Sequence, residues 1–375
     1  MVQRTNTGSV AEIAIIGGGI VGCALAYDLA LRGINPLLLE RQHIGQEASG
    51  ASAGIISPPG AAHGERAELA MLGYQRHHEL LPQIEEQTGI STGSSPHGAI
   101  RLGLEGDREE IRKSFEWQKE QGIETEWLEM DALRQREPAL HYQFRCGYFN
   151  RGASSLLLGR FALALSRAAE LAGAQVWPHT PVTGLAVEGN RVTAIETATD
   201  TIPVGGVIIA SGAWSGMFSQ SLRYPIAVKP VRGQMMAIDN VPVPLHSVVV
   251  HRGNYLVPRA DGTIAVGATE EANSGFDGRV SPAGIAWLAA AADHLAPSIN
   301  EGRFVSSWYG LRPGTTLAAP LIGKVPELDN AWLATGHFRA GAVLATATSK
   351  LLTETIVDGQ RDPMLATCDP ARFAA

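Results

Sequence analysis

The feature that most constrains this chain lies in its first forty residues. Ala11–Ile16 is a short apolar run rich in isoleucine, and Gly17-Gly18-Gly19-Ile20-Val21-Gly22 follows it at once. The spacing of Ala24, Leu25, Asp28 and Leu31 predicts a helix over Cys23–Leu31, stopped by Gly33. Asn35-Pro36 then turns the chain into Leu37-Leu38-Leu39, a second buried strand closed by Glu40. A strand, a GxGxxG turn, a helix, a strand and an acid in this order make a dinucleotide-binding unit. Gly17 allows the tight turn, Gly19 lets backbone amides reach a diphosphate, and Gly22 lets the helix pack closely on the strand. The helix N-terminus supplies partial positive charge to the diphosphate. Glu40 can accept hydrogen bonds from both ribose hydroxyls of an adenosine and would repel a 2′-phosphate, which disfavours NADP. NAD and FAD both remain open at this point. A glycine-rich turn without a ligand is the bland alternative, and the five features together argue against it.

Composition narrows the classes. The 375 residues suffice for two to three domains of about 150 residues each. With 45% hydrophobic and 18% charged residues, the chain has material for a substantial core and is not a disordered one. The 42 glycines cluster around 17–22, 50–54, 310–314 and 336–341 with no G-X-Y period, which excludes collagen. A net charge of −7 without blocks of like charge gives no footprint for nucleic acid. The three cysteines, Cys23, Cys146 and Cys368, are far apart and form no CxxC pair, so neither a disulfide framework nor a zinc site is expected. No metal cluster is expected either: His77 and His78 have only Glu79 nearby. The uncharged stretch Ile13–Tyr27 is too short to span a bilayer, which needs about 20 apolar residues. Met1–Val10 is expected to be a loose arm. A cytoplasmic chain is expected.

After Glu40 the chain does not enter another helix directly. Residues 41–57 form a loop of small and hydroxylic residues suited to run along an extended dinucleotide and leave room for a flavin ring. Later, Val207–Ser215 reads as an apolar strand ending in a small-residue turn. Trp332–Gly341 leads through a glycine turn into a helix from Ala342 to about Val357. The arrangement favours FAD.

The combination GGGIVG, ASGAWS, YLVPR, GLRPGT and GHFRAG resembles the D-amino-acid-oxidase-related FAD-dependent oxidoreductases, and within them the glycine oxidases, over about Ile13–Ile356. The resemblance implies a Rossmann-like α/β FAD-binding domain assembled from 1–88, 152–222 and 307–375. An interleaved α+β substrate domain, mainly an antiparallel sheet with helices on one side, would take 89–151 and 223–306. The residues agree: Arg232–Ile238, His251–Pro258 and Thr263–Ala268 have the rhythm of a meander, with turn signals at Arg252-Gly253-Asn254 and Ala260-Asp261-Gly262. Ser281–Leu295 reads as a helix stopped by Pro297.

The same resemblance implies oxidation of a small amino acid by hydride transfer to flavin N5, with dioxygen as acceptor and hydrogen peroxide as product. It also implies non-covalent FAD, a possible homo-oligomer and a role in thiamine biosynthesis. It assigns Arg312 to the substrate carboxylate, Tyr255 to a hydroxyl contact with substrate, and Arg339 to the mouth of the site. Each has a plainer alternative: a surface arginine braced by glycines, a packing aromatic, and a loop cap. For FAD it carries over Ile20 and Val21 at the diphosphate turn, and Glu40 and Arg41 near the ribose. Ala48, Ser49, Ala53, Gly54 and Ile55 would follow the cofactor towards the ring, with Val182 near adenine and Gly212 in the second strand turn. His337, Phe338, Arg339, Ala340, Gly341, Ala342 and Val343 would surround the pyrimidine edge, chiefly through backbone. Two positions depart from the glycine oxidase pattern, Gly253 where a histidine can stand and Glu270 where an apolar residue can stand. Both would lie near the substrate pocket, with Glu270 facing either the substrate or solvent. Trp214 either shields the ring or packs, and His251 is expected as a strand residue rather than a base.

Two other readings of the chemistry stay open: a specialised N-alkylglycine or secondary-amine oxidase, and a quinone-linked D-amino acid dehydrogenase. A flavin-binding homologue without turnover is the third.

Overall fold

Ile13–Ile16, Pro36–Leu39 and Val207–Ile209 are buried at every position, as strands covered on both faces must be. In the computed structural model, which describes residues 11–60, 66–317 and 319–373, they form the centre of a six-stranded sheet. Its order is Leu321–Lys324, Ala331–Thr335, Val207–Ile209, Ile13–Ile16, Pro36–Leu39 and Gln175–Trp177. All neighbours are parallel except the first pair. Met1–Val10, expected as a loose arm, lies outside the described residues.

The first helix spans Ile20–Leu31, three residues earlier than the apolar spacing predicts, and its residues 20–30 are all buried. It is sandwiched between the sheet and the helices Leu158–Leu171 and Gly341–Asp358, and Ala67–Thr88 packs outside the latter two. This contact depends on Gly22, where a Cβ would stand 1.9 Å from the Gly17 carbonyl oxygen. On the opposite face a meander of Val182–Glu188, Arg191–Thr197 and Thr201–Pro203 closes a second apolar layer through Leu185, Val192 and Ile195.

The other main unit is an eight-stranded sheet. Its order is Arg303–Thr315, Val228–Asp239, Ile264–Gly267, Asn254–Pro258, Val248–His251, Ala99–Gly103, Cys146–Asn150 and Thr125–Glu129. Only Val248–His251 and Ala99–Gly103 run parallel. The helix Pro282–Leu295 covers one face by packing Leu288, Ala292 and Leu295 among Met236, Leu256 and Val266. Its start is well specified: Pro282 occupies the first turn and the Ser281 hydroxyl accepts from the Gly284 amide at 3.1 Å. The other face is turned towards the six-stranded sheet.

The turn expected at Arg252-Gly253-Asn254 is present: Arg252 and Gly253 both have positive φ (46° and 87°) and reverse the chain between Val248–His251 and Asn254–Pro258. One detail differs from the sequence reading. The expected boundary at 306/307 falls inside Arg303–Thr315, which pairs continuously with Val228–Asp239 in the eight-stranded sheet. Among the described residues no helix is long and apolar enough to cross a membrane.

Candidate active site

The carboxyl ends of the parallel strands share one edge of the six-stranded sheet. Ile13–Ile16 and Val207–Ile209 lie side by side where the chain order reverses, which is where ligands bind in open α/β sheets. A cavity of about 760 Å³ starts there and runs between the two sheets. That size suits a large cofactor with a small substrate.

At its first end, Gly17 (φ 117°) turns so tightly that a Cβ would stand 2.5 Å from the Ala210 carbonyl oxygen. Gly19 is extended at the helix start, and the Ile20 amide donates to the Ser49 hydroxyl at 3.0 Å. Glu40 is buried, and its two carboxylate oxygens accept from the Gly18 and Gln42 amides, each at 2.8 Å. A carboxylate has about four acceptor sites, so two remain for hydroxyls. Arg41 is paired with Glu47 and lies over the Trp214 ring at 3.6 Å, and Trp214 leans on Phe276 at 5.3 Å. Trp214 therefore packs under a cation and lines the cavity at once. Val182 lines it between Pro181 and Thr183, and Gly212 (φ 53°) lines it at the second strand turn.

Ala48, Ser49, Ala53, Gly54 and Ile55 line the middle, where bulk is excluded on both sides. A Cβ on Gly54 would stand 1.7 Å from the Leu156 carbonyl oxygen, and one on Gly310 2.6 Å from the Ala51 methyl. Opposite them the chain turns at Gly336 (φ 77°) and Phe338 (φ 48°) into the helix Gly341–Asp358. His337, Phe338, Arg339, Gly341 and Ala342 line the cavity. The His337 ring is tied to the Thr348 hydroxyl at 3.0 Å, and burial pushes its pKa down to about 4, so it is a neutral structural group. Gly22, Ala340 and Val343 are not in the lining. Gly22 serves the helix–strand contact, and Ala340 precedes the helix as its cap. The Val343 carbonyl faces Gly73 of the neighbouring helix Ala67–Thr88.

At the far end the eight-stranded sheet supplies Tyr255, Met235, Gly233 and Arg312. The Tyr255 hydroxyl is 3.7 Å from the Met235 sulfur. Desolvation raises its pKa above the ordinary value, although Arg312 and Arg339 pull the other way, and it stays a donor at neutral pH. The Arg312 guanidinium lies flat against mid-strand Gly233, where a Cβ would stand 2.4 Å from both of its terminal nitrogens. Its Nη1 donates to the Thr269 carbonyl at 3.0 Å, and no carboxylate among the described residues pairs with it. Arg339 stands at the rim, donating to the Gly253 carbonyl at 3.1 Å and paired with Glu270 at 3.4 Å. Gly253 and Glu270 thus lie just outside the lining and hold Arg339. Glu270 faces a cation rather than bare solvent.

A glycine turn at a helix start, a buried acid with spare acceptors and a small-residue channel fit an FAD. The FAD dependent oxidoreductase (DAO) family matches residues 12–355. The chain belongs to that family.

This FAD-dependent oxidoreductase is also 32% identical to a glycine oxidase of Pseudomonas aeruginosa over 366 residues, 97% of this chain and 98% of that one. It is 30% identical to a glycine oxidase of Pseudomonas putida over 368 residues, again 97% and 98%. The crystal structure of glycine oxidase from Geobacillus kaustophilus superposes with a TM-score of 0.88 at 29% identity, covering 97% of this chain and 99% of that one. The oxidoreductase is thus an amino-acid-oxidising flavoenzyme of the glycine oxidase group.

Several lining residues of this flavoenzyme carry no local motif. Gly233, Met235 and Phe276 reach the cavity from the eight-stranded sheet and its loops. The one available signal was Gly233 itself, a lone glycine inside a strand, which marks a close approach. Cys23, Cys146 and Cys368 are free and buried, and none lines the cavity. Among the described residues no group of three or more potential metal ligands occurs. His251 ends its strand with its ring between Asp107 and His294, at 3.0 and 3.1 Å.

Proposed function

We propose that the enzyme oxidatively deaminates glycine or another small primary or secondary amino acid, with dioxygen as acceptor, in the cytoplasm. The observation that carries this is Arg312, a cavity guanidinium with no carboxylate partner among the described residues, beside a protonated tyrosine. A planar guanidinium holds a carboxylate by two parallel hydrogen bonds and fixes its orientation. The Tyr255 hydroxyl donates to the same carboxylate. Together they hold the α-carbon in one place, and orientation of this kind is the main demand of the reaction.

When bound, FAD would supply the two-electron acceptor at N5 for the α-hydride of a neutral amine, with dioxygen as the final acceptor and hydrogen peroxide as product. In this reading Glu40 accepts from the ribose hydroxyls, and Ile20 and Val21 meet the diphosphate at the helix start. Arg41 lies near the ribose, and Val182 lies near adenine. The backbone of 337–343 stabilises negative charge at the pyrimidine edge. The two-unit division also belongs to this reading, with the six-stranded sheet holding cofactor and the eight-stranded sheet holding substrate. No side chain is needed as a base: the amine enters neutral, and water hydrolyses the imino acid outside the chain's chemistry. For glycine the balance is glycine, dioxygen and water to glyoxylate, ammonia and hydrogen peroxide.

Gly253 and Glu270 at the rim favour a second reading of substrate size, in which an N-alkylglycine such as sarcosine is preferred over glycine. Oxygen uptake with glycine, sarcosine and D-alanine, followed with peroxide and oxo-acid formation, tests both. One peroxide and one oxo acid per dioxygen, glyoxylate from glycine or sarcosine and pyruvate from D-alanine, supports the proposal. Rapid dye or quinone reduction with no peroxide would replace it by a dehydrogenase.

A further inference from the structure

Three consecutive residues after the strand Ile264–Gly267 each hold a different arginine. The Thr269 carbonyl accepts from Arg312 Nη1 at 3.0 Å, and Glu270 Oε2 lies 3.4 Å from Arg339 Nη1. Glu271 Oε2 accepts from Arg232 Nε at 3.1 Å. The holders differ in charge. A carbonyl fixes Arg312 and leaves its positive charge uncancelled, whereas a carboxylate cancels that of Arg339. Gly253 completes the arrangement, because a Cβ there would stand 2.8 Å from Arg339 Nη2, the atom that donates to the Gly253 carbonyl.

We infer that Glu270 determines specificity: by neutralising Arg339 and holding it against the Gly253 carbonyl, it restricts the cavity to amino acids with one carboxylate and selects against dicarboxylates. The inference rests on Arg312 as the carboxylate anchor. A second carboxylate that reaches the rim finds Arg339 already paired and Glu270 beside it. Engaging the guanidinium then breaks an ion pair and brings two carboxylates together. A neutral N-alkyl group meets neither obstacle. Arg339 and Glu270 are both about half exposed, at 47% and 46%, and solvent screening keeps the expected discrimination to about fivefold or less.

The test titrates the holoenzyme with acetate and with succinate, read by the perturbation of flavin absorbance, in wild type, E270Q, R339Q and the double variant. The expected result is a succinate-to-acetate Kd ratio about three- to fivefold lower in E270Q. That gain should vanish in the double variant, because the freed Arg339 is its recipient. In turnover, kcat/KM for iminodiacetate relative to sarcosine should rise in E270Q by a similar factor. An unchanged ratio in E270Q, or a gain that persists without Arg339, overturns the inference and leaves the anchor standing. Acetate that binds as tightly to an Arg312→Leu variant as to wild type overturns the anchor and the inference together.

Discussion

Arg312 is poised by two neighbours that do different things. The Thr269 carbonyl sets its rotation, and the missing side chain of Gly233 gives it a surface to lie on. Replacing Arg312 with leucine removes a charge-assisted pair of hydrogen bonds worth about 2–3 kcal/mol, so KM should rise about 30- to 150-fold while FAD content is unchanged. Steady-state kinetics with an absorbance ratio for bound flavin reads both. Gly233→Ala is the sharper probe, since the nearest atoms to the new methyl all belong to the Arg312 side chain. It should raise KM at least tenfold with a change in stability of about 1 kcal/mol or less, because a flexible side-chain end can move where backbone cannot. A thermal melt alongside the kinetics separates displaced guanidinium from general damage. Arg312 and Tyr255 were legible because each sits in a local motif. Gly233 was not, because its importance arises only where a second strand brings Arg312 over it.

The strand–turn–helix unit shows what a sequence specifies best. Its strands are continuous apolar runs, its turn needs glycine, and its acid closes the second strand, so every part is local. Gly22→Ala should disrupt this unit, since the methyl would stand 1.9 Å from a backbone oxygen that cannot move independently. We expect a loss of about 2 kcal/mol or more and loss of bound FAD, both visible in a fluorescence-monitored melt. The meander was legible in part. Arg252-Gly253-Asn254 marked the turn, but no local pattern announces that the carbonyl of this positive-φ turn holds Arg339. The strand Arg303–Thr315 likewise carries Arg312 at one end and exposed Phe304 and Val305 at the other. Its residues therefore do not announce which sheet they join, and the expected domain boundary fell within it.

At the scale of the molecule, two sheets face each other across one cavity, and a cofactor bound there would be in effect part of the core between them. Bound FAD should stabilise the fold by about 2.7 kcal/mol when present at a hundredfold excess over its Kd, so the apoprotein should melt measurably lower. Acid acts on the same core. Burial pushes both His77 and His337 down to about 4 from their ordinary 6.5, against which His77 gains only a bond to the Ala342 carbonyl. The unfolded chain binds protons as pH falls below 6.5, and the folded chain resists until about 4. Their contribution is full above pH 6.5 and lost on the way down to 4, and Tm should fall through that window. A Tm flat from pH 7 to 4.5 would contradict the burial of both rings. The central claim is that this cavity brings an amino acid, anchored at Arg312, against the flavin. Its most direct test mixes anaerobic holoenzyme with glycine or sarcosine and follows flavin absorbance. The account predicts bleaching by at least one of them, reversed by air with one peroxide per flavin, and bleaching at much higher concentrations in Arg312→Leu. A wild-type flavin that no small amino acid reduces would contradict it.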